Sequence, residues 1–234
     1  MRWIRVLTLL LLCTGELAGA APARVDDTLA QRLAACTVCH GDQGRAAPDG
    51  YHPRIAGKPA AYLFHQLLNF RDGRRRYGPM ARLVAPLSDA YLKEIAQHFA
   101  TLELPYAAAV RTKAADSALA RGRQLALQGD AARGLPACAA CHGVALTGAL
   151  PATPGLLGLP RDYLTGQLGA WVAGQRSAHA PDCMADIARR LGGEDITAVS
   201  AWLASQTMPA DTKPVARLPA PAPMRCGSAG DVAR

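Results

Sequence analysis

The sequence predicts an all-α chain made of two tandem domains related by internal duplication. Three observations carry this. Apolar residues recur with the helical period, and no segment alternates as a half-buried strand would. Blocks of sequence repeat at an offset of 101 residues, and one cysteine–histidine motif occurs once in each copy. The length agrees, because 234 residues make one large domain or two small ones. Half the residues are hydrophobic and 19% are charged, which excludes disorder from end to end. Aromatics are only 5%, so a bound group is expected to do part of the core filling.

The elements follow in chain order. Residues 1–20 read as an export signal: Arg2 and Arg5 are its positive end, Val6 to Cys13 its apolar stretch, and Ala18-Gly19-Ala20 its small-residue cleavage site. That apolar stretch is too short to span a membrane. Residues 21–103 form the first domain, 104–115 a linker, 116–208 the second domain, and 209–234 a Pro/Ala-rich tail expected to be mobile. Asp26 or Asp27, and later Asp116 or Ser117, are placed to cap helices leading into the two motifs. Leu63, Leu67 and Phe70 mark a middle helix with Pro59 near its start. Leu92, Ile95, Ala96 and Phe99 form one face of a last helix begun by Ser88 or Asp89, and Ile196, Val199, Trp202 and Leu203 repeat that face.

The repeat is explicit in the residues. Pro53-Arg54-Ile55-Ala56-Gly57-Lys58-Pro59 returns as Pro154-Gly155-Leu156-Leu157-Gly158-Leu159-Pro160. Tyr62-Leu63 with Gln66-Leu67 returns as Tyr163-Leu164 with Gln167-Leu168, and Gly73 and Arg75 match Gly174 and Arg176. Three extra residues in the second copy then move the register to 104.

The chemistry lies in the cysteines. Cys36-Thr37-Val38-Cys39-His40 and Cys138-Ala139-Ala140-Cys141-His142 are two C-x-x-C-H motifs, the attachment signal for c-type haem. Two thiols one helical turn apart can each add across a vinyl group, and the adjoining imidazole is then delivered to the iron. Structural zinc would bring its cysteine pairs within roughly 20 residues, and these lie far apart. Neither a thioredoxin-like motif nor ordinary disulfides require His after the second Cys twice. The expected cofactors are therefore two covalently attached haem c groups.

Met80 lies 40 residues after His40 and Met184 lies 42 after His142, each between the middle and last helices of its copy. A thioether favours ferrous iron and suits an electron carrier, so these two are the expected sixth ligands. Met208 and Met224 have no repeat partner and read as packing residues. His52, His65, His98 and His179 also lack counterparts and read as surface or helix-face residues, with His179 a minor rival for the second iron. Pro53 and Pro154 could each lend a carbonyl to a proximal histidine ring or simply stiffen a turn.

The formal charge is +8. Arg71, Arg74, Arg75 and Arg76 crowd the end of the first middle helix, where the second copy keeps only Arg176. They could face solvent, dock an acidic partner or an anionic lipid surface, or neutralise haem propionates. Nucleic acid is disfavoured, since no stacking aromatics interleave with the charges. Cys183 and Cys226 are expected to form a disulfide in an oxidising compartment. The sharper alternative is Cys183 as a thiolate ligand.

Two C-x-x-C-H-G halves, each with a Pro-x-Leu/Ile-x-Gly turn, Tyr-Leu-x-x-Gln-Leu, Gly-x-Arg, a Met and a last amphipathic helix, resemble cytochrome c4, a family of two-haem class I cytochromes c. The resemblance covers roughly residues 25–207. It implies two cytochrome c-like domains about a pseudo-twofold axis, with haem propionates near their interface. It also implies a periplasmic shuttle carrying electrons from a membrane quinol-oxidising complex to a terminal oxidase or reductase. By position, Cys36, Cys39, Cys138 and Cys141 would attach the haems, and His40, Met80, His142 and Met184 would be the axial ligands. The tail and the Cys183/Cys226 pair depart from the pattern. Two other functions remain open at this point: a haem oxidoreductase acting on a small sulfur or peroxide substrate, and a haem subunit docked to a dehydrogenase.

Overall fold

The computed structural model describes residues 28–109 and 112–230. The export segment and the capping aspartates Asp26 and Asp27 lie outside these residues. Of these, the residues up to Arg32 fall in one compact unit and those from Leu33 onward in a second that holds both C-x-x-C-H motifs.

Helix α1 spans Leu29–His40, and the Thr28 hydroxyl accepts from the Gln31 N–H at 3.2 Å at its start. It is followed by α2 (Ala60–Arg71), α3 (Gly78–Val84) and α4 (Asp89–Ala100). Pro59 and Pro160 stand immediately before α2 and α7 (Arg161–Val172), where a missing N–H costs nothing. Ser88 caps α4 by accepting from the Tyr91 N–H. Leu92, Ile95, Ala96 and Phe99 are all buried as their spacing predicts, against α2. Phe99 is 2% exposed, and truncating such a ring costs about 3–5 kcal/mol.

The second copy repeats this plan with α7, α8 (Cys183–Arg190) and α9 (Gly193–Ser205). Its entry differs. Where α1 runs directly into the first motif, the second copy breaks into α5 (Asp116–Leu127) and α6 (Ala139–His142), because Gly129, Gly134 and Pro136 interrupt the helix. Ala115, rather than Asp116 or Ser117, flanks α5, and no side chain caps it. Helices α5 and α9 cross so closely that a side chain in place of the Gly122 hydrogen would strike the Ala198 carbonyl. Leu125, Leu146, Leu164, Val199, Trp202 and Leu203 fill the core between them and α7.

Two features depart from expectation. A two-residue antiparallel pair, β1 (Gly148–Ala149) with β2 (Thr153–Pro154), stands in the otherwise helical chain. Two residues are too few to show alternation in a sequence. The tail, expected to be mobile, is tied back at several points. Val215 donates its N–H to the Gly148 carbonyl at 3.0 Å and accepts from the Leu150 N–H at 2.9 Å. Lys213 pairs with Glu103 at 2.6 Å, and Cys226 is joined to Cys183.

Candidate haem centres

In each copy the loop after the motif is folded onto the histidine by the same hydrogen bonds. The Gly44 carbonyl accepts from the N–H groups of Ile55 and Ala56 at 2.9 and 3.0 Å, and the Leu146 carbonyl accepts from Leu156 at 2.8 Å. This brings the Pro53 carbonyl to 2.8 Å from His40 Nδ1, and the Pro154 carbonyl to 2.7 Å from His142 Nδ1. A carbonyl only accepts, so Nδ1 carries the proton and Nε2 keeps its lone pair for a metal. Both rings are buried, and burial lowers both pKa values below the ordinary histidine range. The imidazoles are therefore neutral near pH 7, the form a metal ligand needs.

The residue after each histidine must be glycine for two reasons. Gly41 and Gly143 adopt φ of 75° and 82°. A Cβ at 143 would sit 2.8 Å from the Gly148 carbonyl oxygen, and one at 41 would collide with the Ala46 carbonyl.

Cys36 and Cys39 lie in the last turn of α1, and Cys138 and Cys141 at the start and within α6. All four sulfurs are free of disulfides. Burial pushes the Cys138 thiol up to about 11 and raises Cys36 and Cys141, so these remain thiols at neutral pH. Met80 comes from the first turn of α3, which packs on α2, and Met184 is the second residue of α8. Met184 packs beside Trp171, Ala185 and Ala188. Met208 packs on the second core and Met224 lines a hollow with Pro223 and Arg190, as packing residues would. Two free thiols, a neutral imidazole with one nitrogen occupied, and a thioether in each copy fit a covalently held haem.

One alternative is corrected here and two open readings are narrowed. Cys183 is bonded to Cys226, which removes it as a thiolate ligand beside Met184. The arginine patch is half-buried and largely paired. Arg71 pairs with Asp72 and Asp89, Arg74 with Asp72 and Asn69, and Arg75 enters the seam between the copies, leaving Arg76 exposed. That weakens the case for a basic docking surface for lipid. His65 takes the helix-face alternative, buried on α2 with its ring 6.0 Å from that of His179. Among the described residues no three His, Cys, Asp or Glu side chains gather as a metal site.

The seam holds residues that the repeat flagged without giving them a role. Arg75 donates to Gln66 at 3.2 Å, Gln167 at 2.6 Å and the Tyr163 hydroxyl at 3.1 Å. Arg176 donates to Gln167 at 2.8 Å and Gln66 at 2.9 Å. Each guanidinium also covers an aromatic ring, Phe70 and Trp171 respectively. Lys58 is a buried ammonium that donates to the Gly155 carbonyl at 3.0 Å, next to the Pro154 carbonyl that holds His142.

No protein-family model matches the chain. A thiosulfate dehydrogenase electron acceptor of Thiomonas intermedia is 36% identical over 83% of this chain and 88% of its own length. A cytochrome c4 of Pseudomonas aeruginosa is 33% identical over 82% of this chain and 94% of its own. Among solved structures, cytochrome c4 of Pseudomonas stutzeri matches 74% of this chain and 94% of its own at 28% identity, with a TM-score of 0.65. The thiosulfate dehydrogenase TsdBA of Marichromatium purpuratum matches 74% of this chain at 32% identity, with a TM-score of 0.67, but this chain spans only 36% of that one. With relatives of this identity matched over most of both lengths, the chain belongs to the cytochrome c4 family, dihaem c-type cytochromes that carry two covalent haem c groups as electron carriers rather than enzymes.

Proposed function

We propose that the chain is a periplasmic one-electron shuttle that takes electrons from a thiosulfate dehydrogenase and delivers them to a terminal oxidase or reductase. Cys36, Cys39, Cys138 and Cys141 would attach the two haems, and His40 with Met80 and His142 with Met184 would supply the ligands of each iron. The matched bonds from His40 to Pro53 and from His142 to Pro154 carry the ligand reading, since each orients one ring and leaves Nε2 to donate. When bound, haem supplies reversible exchange between ferric and ferrous iron. The chain's own residues set the terms of that exchange. Neutral imidazoles hold the proximal side, soft thioethers favour the reduced state, and the buried cores exclude water. The export signal in residues 1–20 supports the compartment.

The donor is inferred from relatives named as thiosulfate dehydrogenase electron acceptors, 36% identical to this chain. The test is to mix the purified oxidised protein with a thiosulfate dehydrogenase and follow ferrous haem by absorbance. Reduction that requires both dehydrogenase and thiosulfate is the expected result. No reduction there, with fast reduction by a quinol-oxidising complex, would replace this donor with the quinol branch.

A further inference from the structure

The two copies deliver their methionines by different means. Arg75 and Arg176 pair as an isolated antiparallel bridge, which anchors both loops at equivalent starts. From there Met80 is five residues on and Met184 eight. A longer loop has more conformations to lose when its tip is fixed. The first copy shortens the path and sets Met80 in a helical turn opened by Gly78-Pro79. The second has extra chain to restrain.

Several restraints on that extra chain lie just before Met184. The Asp182 carboxylate accepts from the Ala178 N–H at 2.7 Å and from the Ala185 N–H at 3.0 Å. The Gly227 N–H donates to the Pro181 carbonyl at 2.9 Å, and Cys226 is covalently joined to Cys183. Position 227 lies so close that any side chain there would strike the His179 and Ala180 carbonyls. Another fixed point of the tail lies beside the loop that holds His142. Val215 pairs with β1, and β1 pairs with the β2 residue Pro154, whose carbonyl holds the His142 ring.

We propose that residues 215–227 are a strap that positions Met184 by linking its loop, through Cys226–Cys183, to the strand pair that holds His142. Cys183, Cys226, Val215 and Gly227 are positioning residues for the second iron's sixth ligand, and among the described residues the first centre has no equivalent. The strap rests on the reading of Met184 as that ligand.

The test uses the full-length two-haem protein reduced with ascorbate, which leaves disulfides intact. Carbon monoxide bound per chain and the two midpoint potentials are measured for wild type, Cys183→Ser/Cys226→Ser, Val215→Pro and Met184→Ala. Serine leaves no thiolate that could replace methionine. Wild type should bind no carbon monoxide. The double variant should bind it at one of its two haems and show a lowered potential for that haem alone, with Val215→Pro moving the same way. Should the double variant fail to accumulate, Val215→Pro, which cuts the other end of the strap with the disulfide intact, gives the same reading. If Met184→Ala opens one haem while the strap-cut forms stay closed at unchanged potentials, the strap is overturned. If Met184→Ala itself leaves both haems closed, the ligand reading fails instead.

Discussion

Gln66 and Gln167 each accept hydrogen bonds from both Arg75 and Arg176, so each copy satisfies the cation of the other as well as its own. The backbones are joined at the same place, with Arg76 donating to Gln175 at 2.8 Å and Ser177 to Arg74 at 2.6 Å. Arg176 is 6% exposed, and burial pushes its pKa down to about 10, still well above neutrality. The cation stays charged, so its neutral acceptors are what make the burial tolerable. The seam is thus a polar lock between two cores.

Replacing Gln167 by Leu removes one acceptor from each arginine while keeping the volume similar. Unsatisfied buried donors cost about 1–3 kcal/mol each, so Gln167→Leu should lower stability by about 2 kcal/mol or more in urea unfolding of the two-haem protein. Gln66→Leu should cost nearly the same, because the two residues do the same work. A loss under about 0.5 kcal/mol, as at ordinary surface sites, would mean the seam is open in solution.

A second charge cluster sets the acid limit of the second copy. Asp195, in the first turn of α9, accepts from Arg121 at 2.8 Å and from Arg133 at 2.6 Å, and Asp130 takes both arginines at 2.9 Å. The Arg121 hydrogen bond is the chief cause holding Asp195 below the usual carboxylate range, and it does the same for Asp130. A folded pKa below the unfolded one gives stability that is complete above the unfolded value, near 4, and lost as pH falls through the folded value. Asp195→Asn should therefore cost about 2 kcal/mol at pH 7, and the gap to wild type should close below pH 4. A gap that stayed constant down to pH 2 would show that the carboxylate's charge is not what matters.

What could be read from the sequence was whatever repeats locally. The stripe of α4 announces itself because Leu92, Ile95, Ala96 and Phe99 bury one face, whereas the stripe read in α9 understates a helix buried on nearly every side from Asp195 to Leu203. The motifs were legible because covalent attachment demands fixed spacing. Contacts across the duplication were not. Arg75 and Gln167 are 92 positions apart, and only the fold shows that they meet. The same blindness hid the partners of Arg71, Arg74 and Arg75, since nothing local marks Asp89 or Gln66. Val215 carries no signal of its pairing with β1, whereas Cys226 did, because a second unassigned cysteine needed a mate.

The axial assignments separate cleanly by copy. Met80→Ala should open only the first iron to carbon monoxide and lower only its potential, because thioether ligation favours ferrous iron. Met184→Ala should do so only at the second. Optical titration of each variant, with carbon monoxide counted per chain, reads both effects. An unchanged potential in either variant refutes that ligand.

Lys58 is the asymmetry most open to measurement, because the repeat puts Leu159 at its equivalent position. Burial is the chief cause of its depressed pKa, and the nearby Arg54 charge adds to it, bringing it down to about 8. At pH 7 the ammonium is charged, and it also lowers the pKa of His142. A cation there disfavours added positive charge at the second centre, so Lys58→Met should lower the second haem's potential and leave the first unmoved. Stability gives an independent check. With the folded pKa below the unfolded value, the unfolded chain keeps a proton that the folded chain has released between about pH 8 and pH 10.5, so stability rises with pH across that window. Wild type should gain on the order of 3 kcal/mol relative to Lys58→Met between pH 7 and pH 11. Parallel stability curves for the two proteins would show that Lys58 titrates as an exposed lysine, and the predicted shift in potential would lose its basis.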